Sequence, residues 1–161
     1  QMGQPGYTAV SLQGASLRTQ VRQLAGKYDD IVIDVGGRDT GSLRAALVVT
    51  ETLLVPMQPR SFDIWAIDQM AELVTEAREI NEKLRALMVL NAADAQGRDN
   101  DEAAEALKEV QALTLIATSI GRRKAFPNAA ASGRAVTEYT PKDPKAVEEL
   151  SKLVAMLYGN K

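Results

Sequence analysis

The chain has 161 residues, of which 25% are charged, and a formal net charge of −2. It contains no Cys and no His, which excludes disulfides, thiolate metal sites, imidazole acid–base catalysis and Ser-His-Asp triads. Any chemistry must run on carboxylates, Lys, Arg, backbone amides and a hard cation such as Mg2+. The length suits one domain with a sizeable core. No apolar run approaches the ~18 residues of a membrane span, and no signal peptide opens the chain.

In chain order, residues 1–15 read as a flexible lead, with Tyr7–Leu12 suited to a short edge strand. Ser16–Ala25 reads as a helix, with Leu17, Val21 and Leu24 on one face and Gly26 just past its end. Ile31-Val32-Ile33 is a β-branched run, too brief for a helix, and is expected as a strand buried on both faces. Asp34, Val35, Gly36 and Gly37 follow. At the carboxyl end of a parallel strand an acid can orient a metal-bound water, and glycines let backbone approach a phosphate. A buried strand followed by a turn is the plain alternative. Gly36–Ser42 imitates a GxxxxG-Ser phosphate loop but lacks its Lys, so it reads as a loop beside phosphate, leading into a helix over Ser42–Val49.

Thr52–Met57 is the second apolar strand, ended by Pro56 and Pro59. Ser61 or Asp63 can cap the next helix, in which Ile64, Ile67, Met70, Leu73, Val74 and Ala77 keep helical spacing to about Asn81. Trp65 lies off that row and is expected to pack under a neighbouring helix. Leu84–Leu90 is a third strand closing at Asn91. A polar loop and an acidic helix, Asp101–Val110, separate it from a fourth strand, Leu113–Ala117. Residues 118–144 read as basic and irregular, and Lys145–Tyr158 as a terminal helix. Strands alternate with helices, which predicts a three-layer α/β domain with a parallel sheet. The core falls in 16–117, the basic loop region in 118–144 and the terminal helix in 145–158.

Four blocks together resemble one family, the ParA/MinD-type partition ATPases with a deviant Walker A loop. Tyr28-Asp29-Asp30-Ile31-Val32-Ile33-Asp34-Val35-Gly36-Gly37 resembles their Walker B segment. Leu53–Pro59 with Phe62-Asp63 resembles their hhhPhxP strand and following helix, and Val89-Leu90-Asn91 the strand whose terminal Asn contacts adenine. Ile120–Phe126 and Gly133–Tyr139 resemble their late I-x-x-R-x-x-[YF]…G-x-x-V-x-[ED]-[YF] region. The resemblance covers roughly residues 18–158. It implies a P-loop-NTPase-like fold that uses ATP and Mg2+ in a homodimer. Asp34 would be catalytic and hold a metal-bound water, Gly36 and Gly37 would lie near the γ-phosphate, and Asn91 would hydrogen-bond adenine. A strand-end cap at Asn91, a solvated loop acid at Asp39 and a helix cap at Asp63 are the plainer alternatives.

Neither KGGxxK[ST] nor GxxxxGK[ST] occurs in this sequence. The chain therefore resembles the C-terminal two-thirds of such an ATPase, missing the phosphate-loop strand, and is expected to be inactive by itself. The strands flanking that gap should close up, or a second chain should fill it. Ser119–Lys145 carries a net charge of +4, and Arg122, Arg123, Lys124 and Arg134 are candidates for nonspecific contact with DNA phosphates. A solvated loop answering the acidic helix is the alternative. The resemblance implies a cytoplasmic, nucleoid-associated protein with a ParB-like centromere-binding partner and no membrane contact. Two other readings stay open: a non-catalytic α/β interaction or dimerisation module, and a MinD-type cell-division positioning ATPase.

Overall fold

The computed structural model describes residues 6–36, 40–59, 64–95 and 98–159. Its elements in order are α1 (Ser16–Leu24), α2 (Thr40–Leu47), β1 (Thr52–Met57), α3 (Ile64–Arg78), β2 (Arg85–Ala93), α4 (Asp99–Lys108), β3 (Thr114–Gly121), α5 (Ala125–Ala131) and α6 (Pro144–Tyr158). The strands form a parallel sheet in the order β1-β2-β3.

β2 is the centre of the molecule. Its run Ala86–Leu90 is buried at every residue, as a strand covered on both faces must be. Ala86, Met88 and Leu90 join Leu47 of α2, Ile67 and Val74 of α3, and Leu107 of α4 in one cluster. Val89, pointing the other way, joins Ile120 of β3 and Leu153 of α6. The alternation of a strand thus builds three layers: α2, α3 and α4 on one face, the sheet, and α6 on the other. Asp143 caps α6, accepting hydrogen bonds from the amides of Lys145 and Ala146 at 3.1 Å each, with Pro144 at the first helical position.

The structure departs from the sequence expectations in four places. Tyr7–Leu12 forms no strand. β3 runs on to Gly121, and α5 lies inside the stretch read as irregular; Pro127 disguises that helix but sits in its first turn, where no intrahelical amide is lost. Trp65 is 81% exposed and not packed beneath a helix. Most consequentially, Ile31–Val35 joins no sheet. Ile31, Ile33 and Val35 pack on Leu17 and Val21 of α1 and Ala46 of α2, while Val32 is 86% exposed. The run is covered on one face only, and it does not close onto β1. Without a ladder partner, a β-branched run keeps its alternation but not its strand. Ser61, Asp63, Asp39 and Gly37 lie outside the described residues.

Leu107 and Met88 have almost no exposed surface and sit where α4 meets β2. Leu107→Ala should lower unfolding free energy by about 2–5 kcal/mol, and Asp143→Ala by about 1 kcal/mol. Urea denaturation followed by circular dichroism measures both, and equal midpoints for Leu107→Ala and the parent would contradict the core placement.

Candidate functional site

In an open parallel sheet, ligands bind beyond the carboxyl ends of the strands, and here that edge is built from β2 and β3. Asn91 pairs with Ile120 and Ala93 with Gly121, with a register shift between them. The extra residue, Ala92, adopts a φ of +52°, a left-handed conformation that costs a residue with a Cβ. Such a bulge turns the strand out of the ladder. The amide of Arg122 donates to the Ala93 carbonyl at 2.8 Å, so β3 stays tied to β2 past the bulge. A cavity of about 330 Å³ opens there, lined by Asn91, Ala92, Ile120, Arg122, Phe126 and Pro127 among others. It offers an amide, an aromatic edge, aliphatic walls and a guanidinium, which suits a planar heterocycle with an anionic substituent.

The two arginines that follow β3 part company. Arg123 donates through Nε and Nη2 to the two oxygens of Glu149 on α6, at 3.0 and 2.6 Å. The Gly121 amide donates to the same carboxylate at 3.0 Å. The pair is only 27% and 22% exposed, and a fork-to-fork bond there is strong. The hydrogen bond from Arg123 holds the Glu149 carboxyl below the usual carboxylate range, against a contrary push from burial. Arg122 instead reaches Asp94, Nε to Oδ1 at 3.5 Å. Asp94 is braced in turn by Asn100, which accepts from its amide at 3.2 Å and donates to its carbonyl at 2.7 Å. Lys124 precedes α5 and Arg134 follows it, both exposed.

Of the residues singled out from the sequence, the structure therefore brings Asn91, Arg122 and Arg123 together. Asp34 is elsewhere in kind: it lies exposed on the unpaired segment with Gly36 beside it. Among the described residues, no three carboxylates converge on a point that could hold a metal ion. Sequence reasoning missed Glu149, Asp94, Asn100 and Phe126 as parts of this edge. Phe126 ends the I-x-x-R-x-x-[YF] run, which gave it no role, and the other three belong to no spacing pattern, since their partners lie 6 to 28 residues away.

The architecture is an α/β domain with a parallel sheet flanked by helices, compatible with a P-loop-NTPase-like fold, and the cavity lies at the carboxyl ends of β2 and β3. No family model matches the sequence. Over 128 residues it is 26% identical to the maintenance of carboxysome distribution protein A of Halothiobacillus neapolitanus, a match covering 79% of this chain and 59% of that protein. It is 26% identical over 121 residues to protein IncC of Escherichia coli, covering 74% of this chain and 34% of the relative. An uncharacterized protein of Methanocaldococcus jannaschii is 25% identical over 134 residues, covering 81% of this chain and 52% of that protein. The chain thus spans between about a third and three-fifths of the length of these relatives. Among the described residues, no helix is long and apolar enough to cross a membrane.

Because Glu149 has a lower proton affinity folded than unfolded, its stabilisation is complete above the unfolded value and is lost as pH falls through the folded one. Glu149→Gln should cost about 1–3 kcal/mol at pH 7 and should flatten the acid limb of the stability profile. Denaturant midpoints measured from pH 7 down to pH 3 check this; a variant that loses stability in parallel with the parent would contradict it.

Proposed function

We propose that this chain is the base-binding and DNA-facing part of a ParA-type positioning ATPase. The observation that carries the reading is the cavity at the bulged carboxyl end of β2, where Asn91 meets Ile120, Arg122 and Phe126. In this reading Asn91 hydrogen-bonds the Watson–Crick edge of adenine and Phe126 and Ile120 pack on its ring. The likeness to a carboxysome-distribution protein and to IncC supports a role in positioning a cargo, through a ParB-like partner, in a cytoplasmic protein that associates with the nucleoid.

The described residues fit the base better than the cation. Asp34 stands exposed and, among the described residues, no carboxylates converge on it to hold Mg2+. We assign Asp34 a place beside a metal-bound water, and Gly36 and Gly37 a place near the γ-phosphate, only in a homodimeric assembly in which residues other than those of this sequence supply the phosphate loop. Mg2+ would there neutralise the phosphate charge. Arg123, committed to Glu149, holds the fold, which leaves Arg122, Lys124 and Arg134 to meet DNA phosphates without reading sequence. The MinD-type alternative is less favoured, because α6 lays Leu153 and Leu157 on the sheet and does not present them to a lipid surface.

Two measurements test this. An adenine nucleotide should bind the chain weakly by calorimetry, with no hydrolysis above the blank, and Asn91→Ala should weaken binding about 2–10-fold, one hydrogen bond's worth. Binding that Asn91→Ala leaves unchanged would remove the base site. DNA binding should be nonspecific and salt-dependent, with the slope of log K against log salt falling by about 1 for each of Arg122→Ala, Lys124→Ala and Arg134→Ala. No binding at low salt, or an unchanged slope, would remove the DNA face.

A further inference from the structure

Arg122, Arg123 and Lys124 are three cations in a row, and the fold treats the middle one differently. Arg122 meets Asp94 through one contact at 3.5 Å, with its own side chain 54% exposed, so water competes with the pair and little holds the guanidinium there. Lys124 and Arg134 are exposed and form no ion pair among the described residues. Arg123 is gripped by both oxygens of Glu149, through Nε at 3.0 Å and Nη2 at 2.6 Å. Asp143, the cap of α6, attracts it more weakly. Glu149 lies outside the stretch Ser119–Lys145 with its net charge of +4, so this carboxylate reaches the cationic edge from another layer of the fold.

A guanidinium meets a phosphate with the same two-pronged geometry as it meets a carboxylate. Arg123 is therefore equipped for a phosphate but occupied. To turn towards one it must leave Glu149, a side chain only 22% exposed, with the Gly121 amide as the remaining partner. Stripping the partner from a partly buried charge is costly. The arginine side of the pair is 27% exposed, so a released guanidinium needs no path through the core.

We propose that Glu149 masks the cationic edge: it withholds Arg123 from nucleic-acid phosphates, so that the folded protein makes one phosphate contact fewer than its run of cations allows. The inference rests on the DNA-facing reading above and adds a regulatory contact to it. Neutralising or withdrawing Glu149 turns Arg123 into a further phosphate contact. Two simpler roles make different demands. If the pair only holds α6 to β3, Arg123 matters to stability in every background and to phosphate binding in none. If Glu149 acts only by repelling phosphates at a distance, its removal strengthens binding whether or not Arg123 is present.

The probe is a fluorescein-labelled DNA duplex of mixed sequence, titrated by anisotropy at salt concentrations from about 50 to 200 mM, with circular dichroism showing that each variant is folded. Glu149→Gln should steepen the slope of log K against log salt by about 0.9 and tighten binding about five- to tenfold near 0.1 M salt, one phosphate contact's worth. Arg123→Ala should leave the parent's slope in place and abolish the gain in the Glu149→Gln background. Arg123→Gln, which keeps a donor towards residue 149, repeats the comparison should the alanine variant not fold. Equal slopes for the parent and Glu149→Gln, a gain that survives the loss of Arg123, or an equal cost of that loss in both backgrounds would each overturn the mask and leave the DNA-facing reading standing. If neither the parent nor Glu149→Gln binds at low salt, the DNA-facing reading falls and the mask with it.

Discussion

The molecule depends on one strand having something on all four sides. β2 is hydrogen-bonded along both edges and covered on both faces. Met88 and Val89 point to opposite layers and are both buried, so a polar residue at either place would lose water without gaining a partner. This double burial lets the three strands found among the described residues separate two helical layers. It also fixes the carboxyl end of β2, so that Asn91 emerges at a defined height beside Ile120.

The second constraint acts at that end. Glu149 collects the amide of Gly121 and the guanidinium of Arg123, which ties α6 to the exit of β3. A Cβ at Gly121 would come within 3.3 Å of both partners, so the smallest residue stands where the staple needs room. Arg122, one residue on, is thereby turned towards Asp94 and the cavity. Two adjacent arginines with the same chemistry take different duties because one has a carboxylate from another layer within reach and the other has one from its own edge.

Much of this was legible in advance. The helical spacing of Ile67, Met70, Val74 and Ala77, the apolar run before Asn91, and a terminal helix ending at Tyr158 all appear as expected, the last beginning one residue earlier, at Pro144. What could not be read follows from partners rather than patterns. Ile31–Val35 has the composition of an inner strand, but composition cannot supply a neighbouring ladder, and its residues settle for one covered face against α1 and α2. α5 was hidden because Pro127, Asn128, Ser132 and Gly133 look like loop chemistry until the first-turn position of the proline is known. Trp65 was expected inside because aromatic residues usually are; its helix has its apolar row elsewhere. Glu149 carries no sequence signal that points to Arg123, and only the fold brings the two together.

The outer border of β1 holds one more consequence. The Glu51 carbonyl accepts from the Arg85 amide, and since Thr52 pairs with Arg85, the backbone groups of Thr52, Leu54 and Pro56 face away from β2. Pro56 has no N–H, so among the described residues that border presents two donors where an ordinary strand of its length would present three. A foreign chain aligning there meets a gap in its hydrogen-bond pattern at the apolar end of the strand. The proline thus costs β1 nothing against its own neighbour, while it makes indiscriminate stacking of one molecule on another less favourable.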